Sequence, residues 1–153
     1  MIVYRLSRSK YAGDLSGKGA EIAGGRWNNK GTPMVYTAAN RALCVAEIAV
    51  HTPLGLIPVD YTLVTIEVPD ELIARLEEGK LDARWFEFPH QDSTQQIGDE
   101  FARACLHLAL MVPSAVVQGD HNLLINPFHP DIRKARILAQ EPIRFDDRLF
   151  VRS

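Results

Sequence analysis

The chain has 153 residues, enough for one domain with its own core, and its apolar (46%) and charged (24%) fractions are those of an ordinary globular protein. Lys plus Arg number 17 against 19 Asp plus Glu, so the net charge of −2 excludes a basic nucleic-acid footprint and a polyacidic tail. Two cysteines, Cys44 and Cys105, exclude a disulfide framework or a zinc spacing and read as buried free thiols in a reducing compartment. The start, Met1 to Arg5, lacks the basic-then-apolar order of a signal peptide. The longest apolar stretch, Leu106 to Val112, is interrupted by His107 and falls far short of the ~20 residues that span a bilayer. The expectation is a soluble, cytoplasmic protein that meets neither membrane nor nucleic acid directly.

Ile2 to Leu6 reads as a short strand carrying Arg5. Ser7 to Asn29 is rich in Gly, Ser and Lys and reads as a long loop with one turn of helix, and long loops in compact domains often carry function. Met34 to Tyr36 follows a Gly31-Thr32-Pro33 turn as a strand. Thr37 then reads as the N-cap of a helix over Ala38 to Val50, which lacks Gly and Pro. Tyr61 to Val68 alternates like a strand, and Pro69 opens a short amphipathic helix to Glu78. Leu81 to Gln96 reads as irregular. Gly98 to Val112 predicts a second long helix that stops at Pro113. Ser114 to Val117 and Leu123 to Ile125 predict strands around a Gln118-Gly119-Asp120 turn, and Arg136 to Leu138 and Ile143 to Phe145 predict the last two. Paired strands between helices, without regular βαβ alternation, predict an α+β fold. No G-x-G-x-x-G follows a strand and no P-loop motif occurs, so neither dinucleotide nor P-loop binding is indicated.

Several residues stand out against this background. Glu47 lies mid-helix among Leu43, Cys44, Ile48 and Val50, with no Lys or Arg at helical spacing. Such a carboxylate is either half-buried with a job or turned to water at the helix edge. Gly24-Gly25-Arg26-Trp27-Asn28 joins a Gly pair, which permits close backbone approach, to a guanidinium fork suited to phosphate. Composition alone fits better a surface Arg beside a core Trp. Tyr36, eleven positions before Glu47, could stack on a flat ring or be a half-buried strand Tyr. Ser114 could bond a ligand or cap a strand, and it lies in no G-x-S-x-G elbow. The five histidines, at 51, 90, 107, 121 and 129, show no metal-binding spacing, and a Cys44–His51 nucleophile pair is rejected because residues seven apart on a helix do not meet.

Taken in order, Tyr4-Arg5-Leu6, Gly24 to Asn28, Pro33 to Ala38, Ala46-Glu47, Val112 to Val117, His121 to Pro130 and Phe145 to Leu149 resemble the RES-domain family, named for its Arg, Glu and Ser. The G-R-W-N run at Gly25 to Asn28 and the N-P-x-H-P run at Asn126 to Pro130 are the most specific segments, and the resemblance covers nearly the whole chain as one domain, residues 1–153. It implies an ADP-ribosyltransferase-like split, bent sheet with helices around an NAD cleft. It implies a toxin of a bacterial toxin–antitoxin pair that consumes NAD+ as substrate, without a metal, by hydrolysis or phosphorolysis of the nicotinamide–ribose bond. The alternatives are ADP-ribosylation of a specific protein, or a non-catalytic module that binds a nucleotide or the antitoxin. The implied partner is an Xre-type helix-turn-helix antitoxin, which would carry the DNA binding, and a homodimer within that complex is compatible with the resemblance. The family's Arg, Glu and Ser fall on Arg26, Glu47 and Ser114, and its aromatic on Tyr36. Glu47, Arg26 and Tyr36 are then the implied catalytic residues. Arg5, Arg26, Tyr36, Ser114 and Asn126 are the implied NAD-binding ones. Glu47 would stabilise the ribose cation, Arg26 with Arg5 would bind pyrophosphate, Tyr36 would stack on nicotinamide, and Ser114 would fix a ribose or the amide.

Overall fold

The structure, a computed structural model, describes residues 1–151. In chain order it runs β1 (Ile2–Arg8), α1 (Lys18–Ala23), β2 (Val35–Ala38), α2 (Arg41–His51), β3 (Tyr61–Glu67), β4 (Ile73–Arg75), α3 (Asp92–Ala104), β5 (Ala109–Pro113), β6 (His121–Ile125) and β7 (Arg136–Pro142). All seven strands share one sheet in the order β4-β5-β6-β2-β1-β3-β7, antiparallel except for the β4–β5 pair. The α+β expectation holds.

The sheet is nearly two sheets. β1 pairs with β3 along all of its seven residues, Ile2 to Arg8, and β2 pairs with β6 along its full length. Between β1 and β2 only Tyr4 and Ala38 are in register. This single link is the seam between a β4-β5-β6-β2 half and a β1-β3-β7 half, in keeping with the split sheet that the family resemblance implies. Helix α2 lies over the seam. Its Leu43 and Cys44 pack with Ala38 and Leu63, and Tyr4, Leu6, Val117 and Ile143 close the cluster. On the opposite face Val3, Val35, Val64, Ile66, Leu123 and Ile125 form the main core beneath the loop that carries Ala12 and Leu15.

Several predicted elements moved, each for a physical reason. Thr37 is not a cap. Its hydroxyl donates to the Leu123 carbonyl at 2.8 Å, and β2 continues through Ala38 because β6 pairs with it. Helix α2 starts three residues later than predicted, at Arg41. There the Leu43 N–H donates to the Asn40 Oδ1 at 2.8 Å, an ordinary N-cap bond. Replacing Asn40 with Ala should therefore cost about 1 kcal/mol of stability, read as a lower denaturant midpoint at unchanged m-value. A wild-type midpoint would show that α2 is held by packing alone.

The predicted helix over Gly98 to Val112 divides into the end of α3 and β5 up to its last residue but one. Cys105, with φ 55, terminates α3, and the apolar run after it is a central strand between β4 and β6. A short apolar run reads equally as buried helix or buried strand. Cys105 is consequently half-buried rather than buried, while Cys44 is buried, and both are free thiols. The predicted helix over Pro69 to Glu78 is one 3-10 turn, Asp70–Leu72, followed by edge strand β4. Ser114 to Val117 is part of the β5–β6 turn; the predicted strand at Arg136 is β7, which runs on to Pro142, and the one predicted over Ile143 to Phe145 is not a strand but lies just after β7. No helix among the described residues is long and apolar enough to cross a membrane.

Candidate active site at the sheet seam

Glu47 follows the buried Leu43 and Cys44 by one helical turn, so it leaves α2 on the side that faces the sheet. Its side chain is 27% exposed. The Ser114 hydroxyl, at the end of β5, donates to Glu47 Oε1 at 3.4 Å, and His51 Nε2 lies 4.0 Å from Oε2. Ser114 is fixed in turn. Its Oγ accepts from the N–H groups of Val116 and Val117 at 3.1 and 3.0 Å, and its own N–H donates to the Asp120 carbonyl at 2.8 Å. The Asn122 amide, on the β6 residue opposite Ala38, lies beside Glu47 and donates to the Thr37 carbonyl at 3.2 Å. Burial pushes Glu47 above the ordinary carboxylate range, and Asn122, His51, Ser114 and Arg26, in that order, pull it back.

Arg26 reaches the same neighbourhood from the loop after α1. Gly24, at φ +70, ends α1 and its N–H donates to the Ala20 carbonyl at 2.8 Å. Gly25 then passes so close to Tyr36 that a Cβ there would sit 2.7 Å from the phenol oxygen. The phenol accepts from the Trp27 N–H at 3.0 Å and donates to the Asn28 Oδ1 at 2.6 Å. Burial raises the Tyr36 pKa, so the phenol keeps the proton this bond uses. The Asn28 amide nitrogen donates to the carbonyls of Ala20 and Thr32 at 2.8 and 2.9 Å, which closes the loop. Tyr36 thus shapes the arginine loop with its hydroxyl, and its ring is half-buried.

The segment left irregular in the sequence, Leu81 to Gln96, holds this loop from outside. Trp85 packs on Trp27 with ring centroids 5.9 Å apart. Arg26 Nη1 donates to the carbonyls of Trp85 and Glu87 at 2.7 and 3.0 Å. Its Nε and Nη2 make no protein hydrogen bond, and no carboxylate lies within 4.0 Å of the guanidinium, among the described residues. From Asp92 the segment becomes α3. Its Thr94 hydroxyl donates to the Arg26 carbonyl at 2.6 Å, Gln95 donates to the carbonyls of Gly25 and Asn28, and Asp99 accepts from Asn29. Burial lowers the Arg26 pKa and the Glu47 carboxylate offsets part of this, so the two charges sense one another.

Four sequence-predicted residues, Arg26, Tyr36, Glu47 and Ser114, thus come together around the seam. Two do not. Arg5 leaves β1 on the face opposite Tyr4 and Leu6, and its Nη1 donates to the Asp14 carbonyl beneath the long loop. The expected pairing of Arg5 with Arg26 over one phosphate site is absent from this arrangement. Asn126 follows the far end of β6 from Asn122. It is 1% exposed, donates to the Ala102 carbonyl at 3.0 Å and accepts from the Phe128 N–H at 3.0 Å, so its side chain ties β6 to α3. Helical spacing places His51 one turn after Glu47, as found, whereas Asn122 and His90 are not legible in the sequence. Alternation along β6 with Leu124 could have placed Asn122 on the Tyr36 face, had its pairing with β2 been known. Among the described residues no group of three or more His, Cys, Asp or Glu could hold a metal ion.

Comparison with known proteins places the chain in a family and matches its fold. The RES domain family model matches residues 2–146. A Prs ADP-ribosylating toxin of Sphingobium sp. is 40% identical over 94% of this chain and 91% of its own length. A protein named Toxin Res from Photorhabdus laumondii is 38% identical over 88% and 86%, and one from Yersinia enterocolitica is 34% identical over 97% and 99%. The fold matches a chain of the crystal structure of the M. tuberculosis MbcT–MbcA toxin–antitoxin complex, with a TM-score of 0.72, 21% identity, and 93% of this chain and 83% of that chain covered. A family model that spans almost the full sequence, and relatives aligned nearly end to end, leave one assignment: the chain belongs to the RES domain family.

Proposed function

We propose that this chain is the toxin of a toxin–antitoxin pair and that it cleaves the nicotinamide–ribose bond of NAD+, with water or phosphate as acceptor. The observation that carries the reading is the placement of Glu47. It is a half-buried carboxylate, bonded by Ser114 and facing Arg26, where the sheet divides. Breaking an N-glycosidic bond builds positive charge on the ribose. A carboxylate in a site of reduced water content stabilises that charge more than it could in bulk. The unused Nε and Nη2 of Arg26 offer a planar pair of donors to the pyrophosphate. The half-buried Tyr36 ring offers a face for nicotinamide, and Ser114 a hydroxyl for the ribose.

A second reading has a specific observation behind it. The Sphingobium relative is named as an ADP-ribosylating toxin, and it is 40% identical over 94% of this chain. The same bond would break, and a protein side chain would accept the ADP-ribose. One experiment separates the two. The chain is induced without any antitoxin, cellular NAD is measured, and purified protein is incubated with adenylate-labelled NAD and lysate. Collapse of the NAD pool with free labelled product supports depletion. One labelled protein band with a largely intact pool supports transfer. Neither result, from a folded protein, would sink both.

Arg26→Lys should lower kcat/KM by about 10- to 100-fold, the worth of one charge-assisted hydrogen bond. Lys keeps the charge, but one ammonium cannot bond two backbone carbonyls and also present a planar pair of donors to a ligand. Steady-state kinetics decide this, and normal turnover by the Lys variant would move phosphate recognition elsewhere. An antitoxin is the proposed partner, in line with the toxin–antitoxin complex from which the structural match comes, and its Xre type is what the family resemblance implies. Its inhibition should compete with NAD, with a carboxylate taking the Arg26 donors. Inhibition unaffected by Arg26→Ala would exclude that mode.

A further inference from the structure

The reading above leaves His51 without a task, although it stands beside the central carboxylate. Glu47 gives one oxygen to each of two neighbours: Oε1 accepts from Ser114 at 3.4 Å, and Oε2 lies 4.0 Å from His51 Nε2. Ser114 is buried, whereas the His51 side chain is 69% exposed, so the imidazole forms the solvent side of the carboxylate. We propose that His51 is the base that accepts the proton of the attacking water when NAD+ is hydrolysed, an inference that rests on the NAD-cleavage reading.

The step balances as follows. The bond between the ribose anomeric carbon and the pyridinium nitrogen breaks, and its electron pair leaves with neutral nicotinamide. A water oxygen forms the new bond to that carbon. Its proton passes to His51 Nε2 and from there to solvent. The geometry sets this up: Glu47 lies one turn back on α2, and His51 is the last residue of that helix, at its solvent end. The group that faces His51 from another element is His90, which also senses Arg26. The His90 pKa is held low by burial first and then by Arg26 and His51. Leu43 and Cys44 on the inner side of α2 carry no charge near neutrality, since burial pushes the Cys44 thiol up to about 12.

Acceptor chemistry provides the test. Water must lose a proton as it attacks, but a phosphate dianion attacks through an oxygen that has none. Nicotinamide release is measured for the wild type and His51→Gln, with and without inorganic phosphate, at a pH where phosphate is a dianion. Circular dichroism confirms the fold of this surface variant. The expected result is a loss of about 10²-fold with water, the lower end of general-base effects, and a far smaller loss with phosphate. Imidazole added to His51→Gly should restore part of the water reaction. Equal losses with both acceptors would place His51 in bond breaking and overturn the proposal, as would no loss with either. A wild-type protein that releases nicotinamide only when phosphate or a protein acceptor is present overturns it too, while leaving NAD cleavage standing. A wild type that releases none under any condition removes the underlying reading itself.

Discussion

Glu47→Gln should abolish NAD cleavage while the protein stays folded. Gln keeps the shape and can still meet the Ser114 hydroxyl, but it offers no charge to the ribose cation. Loss of a single preorganised electrostatic group typically costs ~10²–10³ in turnover, which sets the expected size. Stability should move the other way. Burial raises the Glu47 pKa, so the folded state holds that proton more tightly than the unfolded chain. The charged form therefore costs stability once pH rises through the raised value, and a neutral Gln removes the cost. Thermal melts of the variant near neutral pH should match or exceed the wild type. Activity of the wild type should fall on acidification at a pH above the ordinary Glu value of about 4.3, because the working form is the carboxylate. Full turnover by folded Glu47→Gln, or an acid limb at or below that value, would take Glu47 out of the mechanism.

The parts of this site legible in the sequence were those fixed by local chemistry. Glu47 stood out because a carboxylate without a cationic helix neighbour is conspicuous among Leu43, Cys44 and Ile48. The Gly24-Gly25 pair announced a close approach, and the structure supplies its partner, the Tyr36 phenol. Strand β3 was legible because its β-branched residues alternate with polar ones. What failed depended on long-range pairing. Ala109 to Pro113 is a strand only because β4 and β6 flank it, and Thr37 is a strand residue only because β2 pairs with β6, where Leu123 takes its hydroxyl. Arg5 and Asn126 fit the family order equally well, but strand alternation and position along β6 carry their side chains away from the seam. The largest omission was the segment after Leu81. Its aromatics and carbonyls cover Arg26 through contacts about 60 residues apart in sequence, and no local pattern encodes these.

Gly98→Ala should be the most damaging single-methyl change in the chain. Gly98 lies in the middle of α3, where Ala normally gains about 1 kcal/mol over Gly. Here the added Cβ would sit 1.5 Å from the Trp27 carbonyl oxygen and 2.6 Å from its carbon. The obstacle is backbone, so no rotamer relieves it. Either α3 moves out or the Gly25–Asn29 loop moves in. Both motions strain the bonds from Thr94 to the Arg26 carbonyl, from Gln95 to Gly25 and Asn28, and from Asn29 to Asp99. Overpacking of this kind costs about 3 kcal/mol, well beyond the helix-propensity gain. A loss of that size lowers Tm by roughly 6–12 °C in a domain of this length. Because the displaced loop carries Arg26, kcat/KM should fall even at temperatures where the variant is folded. Gly19→Ala is the control, since a Cβ in α1 meets nothing within 4 Å and should leave Tm unchanged or slightly raised. A Gly98→Ala protein with wild-type Tm and wild-type NAD cleavage would show that α3 does not set the position of the arginine loop.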